Sequence, residues 1–96
     1  MQVKKNGYRY KELKLLERAG LIKDIQLQVK YELQPSFKKN GETYRAITYI
    51  ADFVYKNMKN NAIIVEDTKG YETEVFKIKR KLFEYKFPEY ELKIIK

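Results

Sequence analysis

The chain contains neither cysteine nor histidine. The first absence excludes disulfides, thiolate metal sites and a cysteine nucleophile. The second removes a Ser/His/Asp triad, a zinc–imidazole centre and any imidazole base. No stretch approaches the ~20 consecutive apolar residues of a membrane span. No hydrophobic signal region opens the sequence either, so the expected setting is cytoplasmic, without a membrane partner. Internal repeats, low-complexity tracts and linkers are also missing. Any chemistry must therefore come from carboxylates, lysine, tyrosine or a hard metal ion.

What the chain does have is one domain's worth of residues, 1–96, with 44% hydrophobic and 15% aromatic content to form a core. A core of that size gives modest stability. Twenty-one Lys and Arg against 13 Asp and Glu leave a formal charge of +8. Such an excess on a small domain points to a polyanionic partner, nucleic acid ahead of an acidic membrane surface. The plainer alternative is a basic, soluble protein whose lysines only face water.

Residues 8–19 read as a first helix ended by Gly20. At about 100° per residue, Tyr8, Leu13, Leu15, Leu16 and Ala19 share a broad arc, with Glu12 near its middle. Strict alternation over residues 25–33 (Ile25, Leu27, Val29, Tyr31, Leu33) predicts a half-buried strand. Gln34-Pro35-Ser36 stops it, and a turn carrying Asn40-Gly41 follows. Residues 44–55 are apolar on both faces, which predicts a central strand that nevertheless contains Asp52. Residues 62–65 predict another buried strand, running straight into Glu66-Asp67-Thr68-Lys69-Gly70. Thr73 is a plausible N-cap for a helix over residues 74–85, where Val75, Ile78, Leu82 and Tyr85 carry helical spacing and Phe76 and Phe83 widen the stripe. A short strand over residues 90–95 closes an α-β-β-β-α-β order.

If the turn after residues 44–55 centres near Met58, Asp52 lies close to Val65, and Asp67 and Lys69 project from the face of Asp52. A register one residue different brings in Glu66 instead. Two neighbouring carboxylates repel each other unless a cation lies between them. With oxygen ligands alone, that cation is Mg²⁺ or Mn²⁺. The lysine could orient or deprotonate a water and neutralise charge on a phosphate. The alternative reading has both aspartates in ion pairs at the sheet end, with Lys69 solvated. An aspartate within an apolar central strand favours the site, because an unpaired buried charge is costly.

The order and these residues resemble the PD-(D/E)XK nuclease superfamily, and more closely a family of small phage and prophage proteins assigned to it. The resemblance rests on Arg9-Tyr10-Lys11-Glu12-Leu13-Lys14-Leu15-Leu16, Tyr31-Glu32-Leu33-Gln34-Pro35, Thr48-Tyr49-Ile50-Ala51-Asp52-Phe53, Val65-Glu66-Asp67-Thr68-Lys69-Gly70 and Lys81-Leu82-Phe83-Glu84-Tyr85. It implies a restriction-endonuclease-like core, a central mixed sheet flanked by helices. It further implies Asp52 and Asp67 as metal ligands, the backbone carbonyl of Thr68 as a third, and Lys69 as the catalytic lysine. Ala51 stands where the motif has proline. The acidic residue that the resemblance places in the first helix would fall near Asn6, leaving Glu12 as the candidate ligand there.

Phosphate contacts are expected from Lys77, Lys79, Arg80, Lys81 and Lys86 on the second helix and from Arg9 on the first, near Lys4, Lys5 and Lys11. The nine tyrosines read mostly as core and sheet residues. The implied function is a Mg²⁺- or Mn²⁺-dependent endonuclease or junction-resolvase-like hydrolase of DNA, in host cytoplasm if phage-encoded, with a homo-oligomer as one expected state. Two alternatives stand beside it: a DNA-binding protein that kept the fold without turnover, and a phage assembly protein.

Overall fold

A computed structural model describes the backbone of residues 2–96 and the side chains of residues 7–96. The side chains of Lys4, Lys5 and Asn6 therefore lie outside the described residues. The elements run α1 (Gln2–Arg18), β1 (Ile22–Gln34), β2 (Phe37–Lys39), β3 (Glu42–Tyr44), β4 (Ile47–Asn57), β5 (Ile63–Thr68), α2 (Glu74–Lys86) and β6 (Glu91–Ile95). A four-stranded mixed sheet has the order β1-β4-β5-β6, with β5 and β6 parallel and the other pairs antiparallel. The α-β-β-β-α-β order thus holds, with one addition: β2 and β3 form a separate two-stranded ribbon between β1 and β4. No helix among the described residues is long and apolar enough to cross a membrane.

Each face of the sheet carries one helix. On the α2 side, Leu33, Tyr49, Ala51, Val54 and Val65 pack with Phe76 and Phe83. On the α1 side, Leu13 packs with Ile22, Phe53, Tyr55 and Ile64. Thr73 caps α2 by accepting a hydrogen bond from the Phe76 amide at 3.1 Å. The helix then turns Phe83 edge-on to Tyr31 and Tyr49, with centroids at 5.1 and 5.4 Å. Burying such a ring contributes about 2–3 kcal/mol, and this aromatic cluster decides which face of α2 goes inward. Val75, Ile78 and Tyr85, expected in the buried stripe, are exposed instead.

The first helix ends as its glycine requires. Gly20 has φ +81°, and the Gly20 and Leu21 amides donate to the Glu17 and Leu16 carbonyls, both at 3.0 Å. This is a Schellman ending, which needs the left-handed conformation that glycine adopts freely. The buried arc of α1 is turned from the one expected. Leu13 is fully buried and Leu16 half-buried, whereas Tyr8 and Leu15 are exposed. Glu12 is 64% exposed, more so than Glu17 at 35%. The rotation follows from Arg9, which turns inward to meet a buried carboxylate described below. Tyrosine is likewise less internal than expected: Tyr8, Tyr10, Tyr44, Tyr71 and Tyr85 are all exposed.

Alternation breaks where β1 and β4 pass each other at Gln28 and Asp52. Pairing continues on both sides, Leu27 with Phe53 and Val29 with Ala51, but no pair forms at Gln28. There Gln28 adopts φ +53°, which disfavours any residue with a Cβ. As a result Ala51 and Phe53, two residues apart, pack on opposite faces of the sheet. The single face expected for β1 splits in the same way: Val29, Tyr31 and Leu33 pack toward α2, Ile25 packs toward α1, and Leu27 is exposed.

Candidate active site

Asp52 occupies this break in β4. Its Oδ2 accepts a hydrogen bond from the Thr68 amide at 2.9 Å, which ties β4 to the end of β5. Its Oδ1 faces Nε2 of Gln28 at 3.4 Å. Phe53 pairs with Glu66, so the register continues to set Asp52 opposite Asp67. The expected partner, Val65, in fact pairs with Val54. The turn into β5 centres further along than Met58. The slip is two residues, and because alternation breaks at Asp52 its nearness to Asp67 rests on contact rather than on strand parity: Asp52 accepts from the Thr68 amide, and its carboxylate is hydrogen-bonded to that of Asp67.

Asp67 is almost fully buried, at 1% exposure. The Tyr49 hydroxyl donates to its Oδ2 at 2.9 Å, and Lys69 Nζ lies 3.4 Å from the same oxygen. The Asp67 carboxyl is pushed up to about 6, first by burial and then by the hydrogen-bonded Asp52 carboxylate beside it. Tyr49 and Lys69 oppose that rise without cancelling it. Burial and the nearby Asp67 carboxylate in turn push the Tyr49 hydroxyl far above its ordinary range, so it remains a donor. Lys69 is part-exposed, and its ammonium sits 4.8 Å above the centre of the Phe76 ring. It points into an open groove of about 300 Å³ lined by Thr48, Tyr49, Ile50, Thr73, Phe76 and Lys79 among others.

The fit to a hard cation can be judged from these contacts. One oxygen of each aspartate is committed to the protein, Asp52 Oδ2 to an amide and Asp67 Oδ2 to a phenol and a lysine. Each Oδ1 is left for a cation, apart from the long contact of Asp52 with Gln28. A buried Asp67 with its acidity shifted this way, beside a half-buried Asp52, suits a divalent cation held by oxygen. The donor set is small, however: among the described residues no group of three or more acidic, histidine or cysteine side chains comes together.

The remaining expected residues separate. Glu12 does not join the pair; its carboxylate meets Arg9 at 3.1 Å on the exposed side of α1. Arg9, expected to contact phosphate, instead forms a two-pronged ion pair with Glu66, Nε to Oε1 at 2.6 Å and Nη2 to Oε2 at 2.8 Å. Glu66 is fully buried, on the face opposite Asp67, and also accepts from the Tyr55 hydroxyl at 2.6 Å. An unpaired carboxylate there would be costly, which is why Arg9 turns to the sheet. On α2, Lys79 alone shares the groove with Lys69. Lys77, Arg80 and Lys81 line a different side of the helix, with Lys77 paired to Glu74 and Arg80 to Glu72.

Tyr49 and Gln28 are functional neighbours that sequence reasoning missed. Tyr49 looked like any aromatic strand residue, and nothing local marks Gln28 as left-handed. Thr68 Oγ1 is the one buried side-chain polar atom among the described residues without a hydrogen-bond partner. Among comparisons with known proteins, the family described as "Protein of unknown function (DUF1064)" matches residues 1–96. No curated protein and no solved structure matches the chain.

Proposed function

Within the DUF1064 family, to which this chain belongs, we propose a divalent-metal-dependent nuclease that hydrolyses phosphodiester bonds in DNA. The observation that carries this reading is the pair Asp52 and Asp67, facing across β4 and β5, with Lys69 3.4 Å from Asp67. The mixed sheet and its order support a restriction-endonuclease-like core. The sequence motifs support placement near the PD-(D/E)XK nucleases, including their small phage relatives.

Asp52 and Asp67 would hold Mg²⁺ or Mn²⁺ through their Oδ1 atoms, with the Thr68 carbonyl as a further oxygen ligand. When bound, such a cation supplies Lewis-acid neutralisation of charge on the scissile phosphate. Tyr49 keeps Asp67 oriented by donating to its Oδ2, and the Thr68 amide does the same for Asp52. Lys69, aimed into the groove beside Asp67, donates to a phosphoryl oxygen or to the attacking water. Lys79 adds positive charge on the same wall. Water attacks phosphorus as a P–O ester bond breaks, and the proton that the water gives up ends on the alkoxide leaving group through solvent.

Purified protein incubated with plasmid, branched and single-stranded DNA in Mn²⁺, Mg²⁺ or EDTA tests the proposal. Nicking that needs metal and disappears in Asp52→Asn is the expected result. Hydrolysis that is absent, or equal in the variant, overturns it. The small donor set favours one second reading, a DNA-binding protein that keeps the fold without turnover. Metal-independent binding with no cleavage of any substrate would support that reading.

A further inference from the structure

The β2–β3 ribbon has no role in the core or in the carboxylate pair. Its two-residue turn, Asn40-Gly41, has positive φ at both positions, +52° and +77°. That is the stiff hairpin turn that matches strand twist. Phe37 stacks on Tyr44 across the ribbon with centroids at 4.8 Å and planes 12° apart. Both rings remain 44% exposed, and every residue from 37 to 45 is exposed. Lys38 pairs with Thr43 and so lies on the face opposite the aromatic stack; Lys39 pairs with Glu42 beside the turn, and Arg45 directly follows β3. No ion pair engages Lys38, Lys39 or Arg45 among the described residues. Other described cations are unpaired as well, Lys23, Lys59 and Lys93 among them, but on the ribbon three fall within eight residues of one exposed hairpin. The ribbon is thus an ordered, projecting arm with three free positive charges.

We propose that this ribbon is a DNA-binding arm that enters a groove of the duplex beside the scissile phosphate, its cations on the phosphates and its aromatic stack holding it rigid. The inference rests on the reading of the chain as a protein that acts on DNA. The geometry suits it, because a two-stranded ribbon fits the ~12 Å major groove. The ribbon joins the sheet at Ile47, five residues from Asp52 along β4. At ~3.3 Å per residue that is roughly 16 Å, or about five base pairs. The arm therefore contacts DNA to one side of the cleavage position and sets how much flanking duplex the protein needs.

Fluorescence anisotropy with a labelled duplex in EDTA, over a salt series, tests the arm independently of catalysis. The variant Lys38→Glu/Lys39→Glu/Arg45→Glu should bind at least tenfold more weakly. Its slope of log affinity against log salt should be shallower by about two to three, since each phosphate contact contributes ~0.9. Lys23→Glu/Lys59→Glu/Lys93→Glu carries the same charge change elsewhere and should lose much less. The Gln series at positions 38, 39 and 45 repeats the test should charge reversal disturb folding, and should show about half the effect. Hydroxyl-radical footprints should lose protection on one flank only.

Unchanged binding by the ribbon variants, an equal loss in the control, or no duplex binding by the wild type overturns the arm. Wild-type protein that binds through the ribbon yet cuts nothing in Mn²⁺ overturns the nuclease reading alone. Protein that cuts, with ribbon variants that bind and cut equally well, overturns the arm alone.

Discussion

Replacing Asp67 by asparagine should stabilise the metal-free protein, a sign opposite to that expected for most buried polar residues. The Asp67 carboxyl is raised from 3.8 to about 6, chiefly by burial and then by Asp52. A group raised on folding contributes stability while protonated, below its unfolded value, and loses it as pH rises through the folded value. At pH 7.5 the ionised Asp67 therefore costs the fold about two pKa units, or about 3 kcal/mol at ~1.4 kcal/mol each. Asparagine mimics the protonated acid: its carbonyl can accept from Tyr49 and its amide can donate toward Asp52. We expect Asp67→Asn to gain about 1–3 kcal/mol in EDTA at pH 7.5. At about 4–8 °C per kcal/mol for a domain of this size, that is a rise in Tm of at least 4 °C. At about pH 3, below the ordinary value of 3.8, wild type and variant should melt together.

Adding Mn²⁺ reverses the ranking, because a ligand at about 1,000 times its Kd stabilises the wild type by about 4.1 kcal/mol and the variant loses the ligand. Differential scanning fluorimetry at two pH values, with and without metal, reads all of this. A lower Tm for Asp67→Asn in EDTA at pH 7.5, with no metal response in either protein, would refute the reasoning. It would make Asp67 a structural partner of Lys69.

Four further outcomes follow from the same contacts. Mn²⁺ affinity of the wild type should fall about tenfold per unit below pH 6, as Asp67 takes up a proton; calorimetry measures it. Lys69→Ala should leave Mn²⁺ affinity within about threefold and cut hydrolysis at least 100-fold, because the lysine holds phosphate or water rather than metal. Arg9→Met leaves Glu66 buried and unpaired and should cost about 3–5 kcal/mol in urea unfolding. The double variant Arg9→Met/Glu66→Gln should recover part of that loss. Gln28→Gly relieves the left-handed residue opposite Asp52 and should add about 0.5–1 kcal/mol to stability.

The two helices and the four strands of the main sheet were legible in the sequence, because each is a local pattern of spacing and punctuation; the short β2–β3 ribbon was read only as a turn. Gly20, Asn40-Gly41 and Thr73 end or start elements through backbone preferences that do not depend on the rest of the fold. Asp52 and Asp67 were expected as neighbours on adjacent strands, but through a pairing two residues off and a strand parity that breaks at Asp52. Tertiary structure alone decided three things. It set the rotation of both helices, since Arg9 answers a buried Glu66 57 positions away and Phe83 seeks an aromatic cluster drawn from three elements. It introduced the break at Gln28 and Asp52, where adjacent strands give up alternation together and no local signal marks either residue. It also divided the basic residues, leaving Lys79 at the groove while the distant Glu66 took Arg9 and Glu72, just before the helix, took Arg80. Charge pairs and aromatic contacts between distant segments have no period to read; they exist only once the chain has closed on itself.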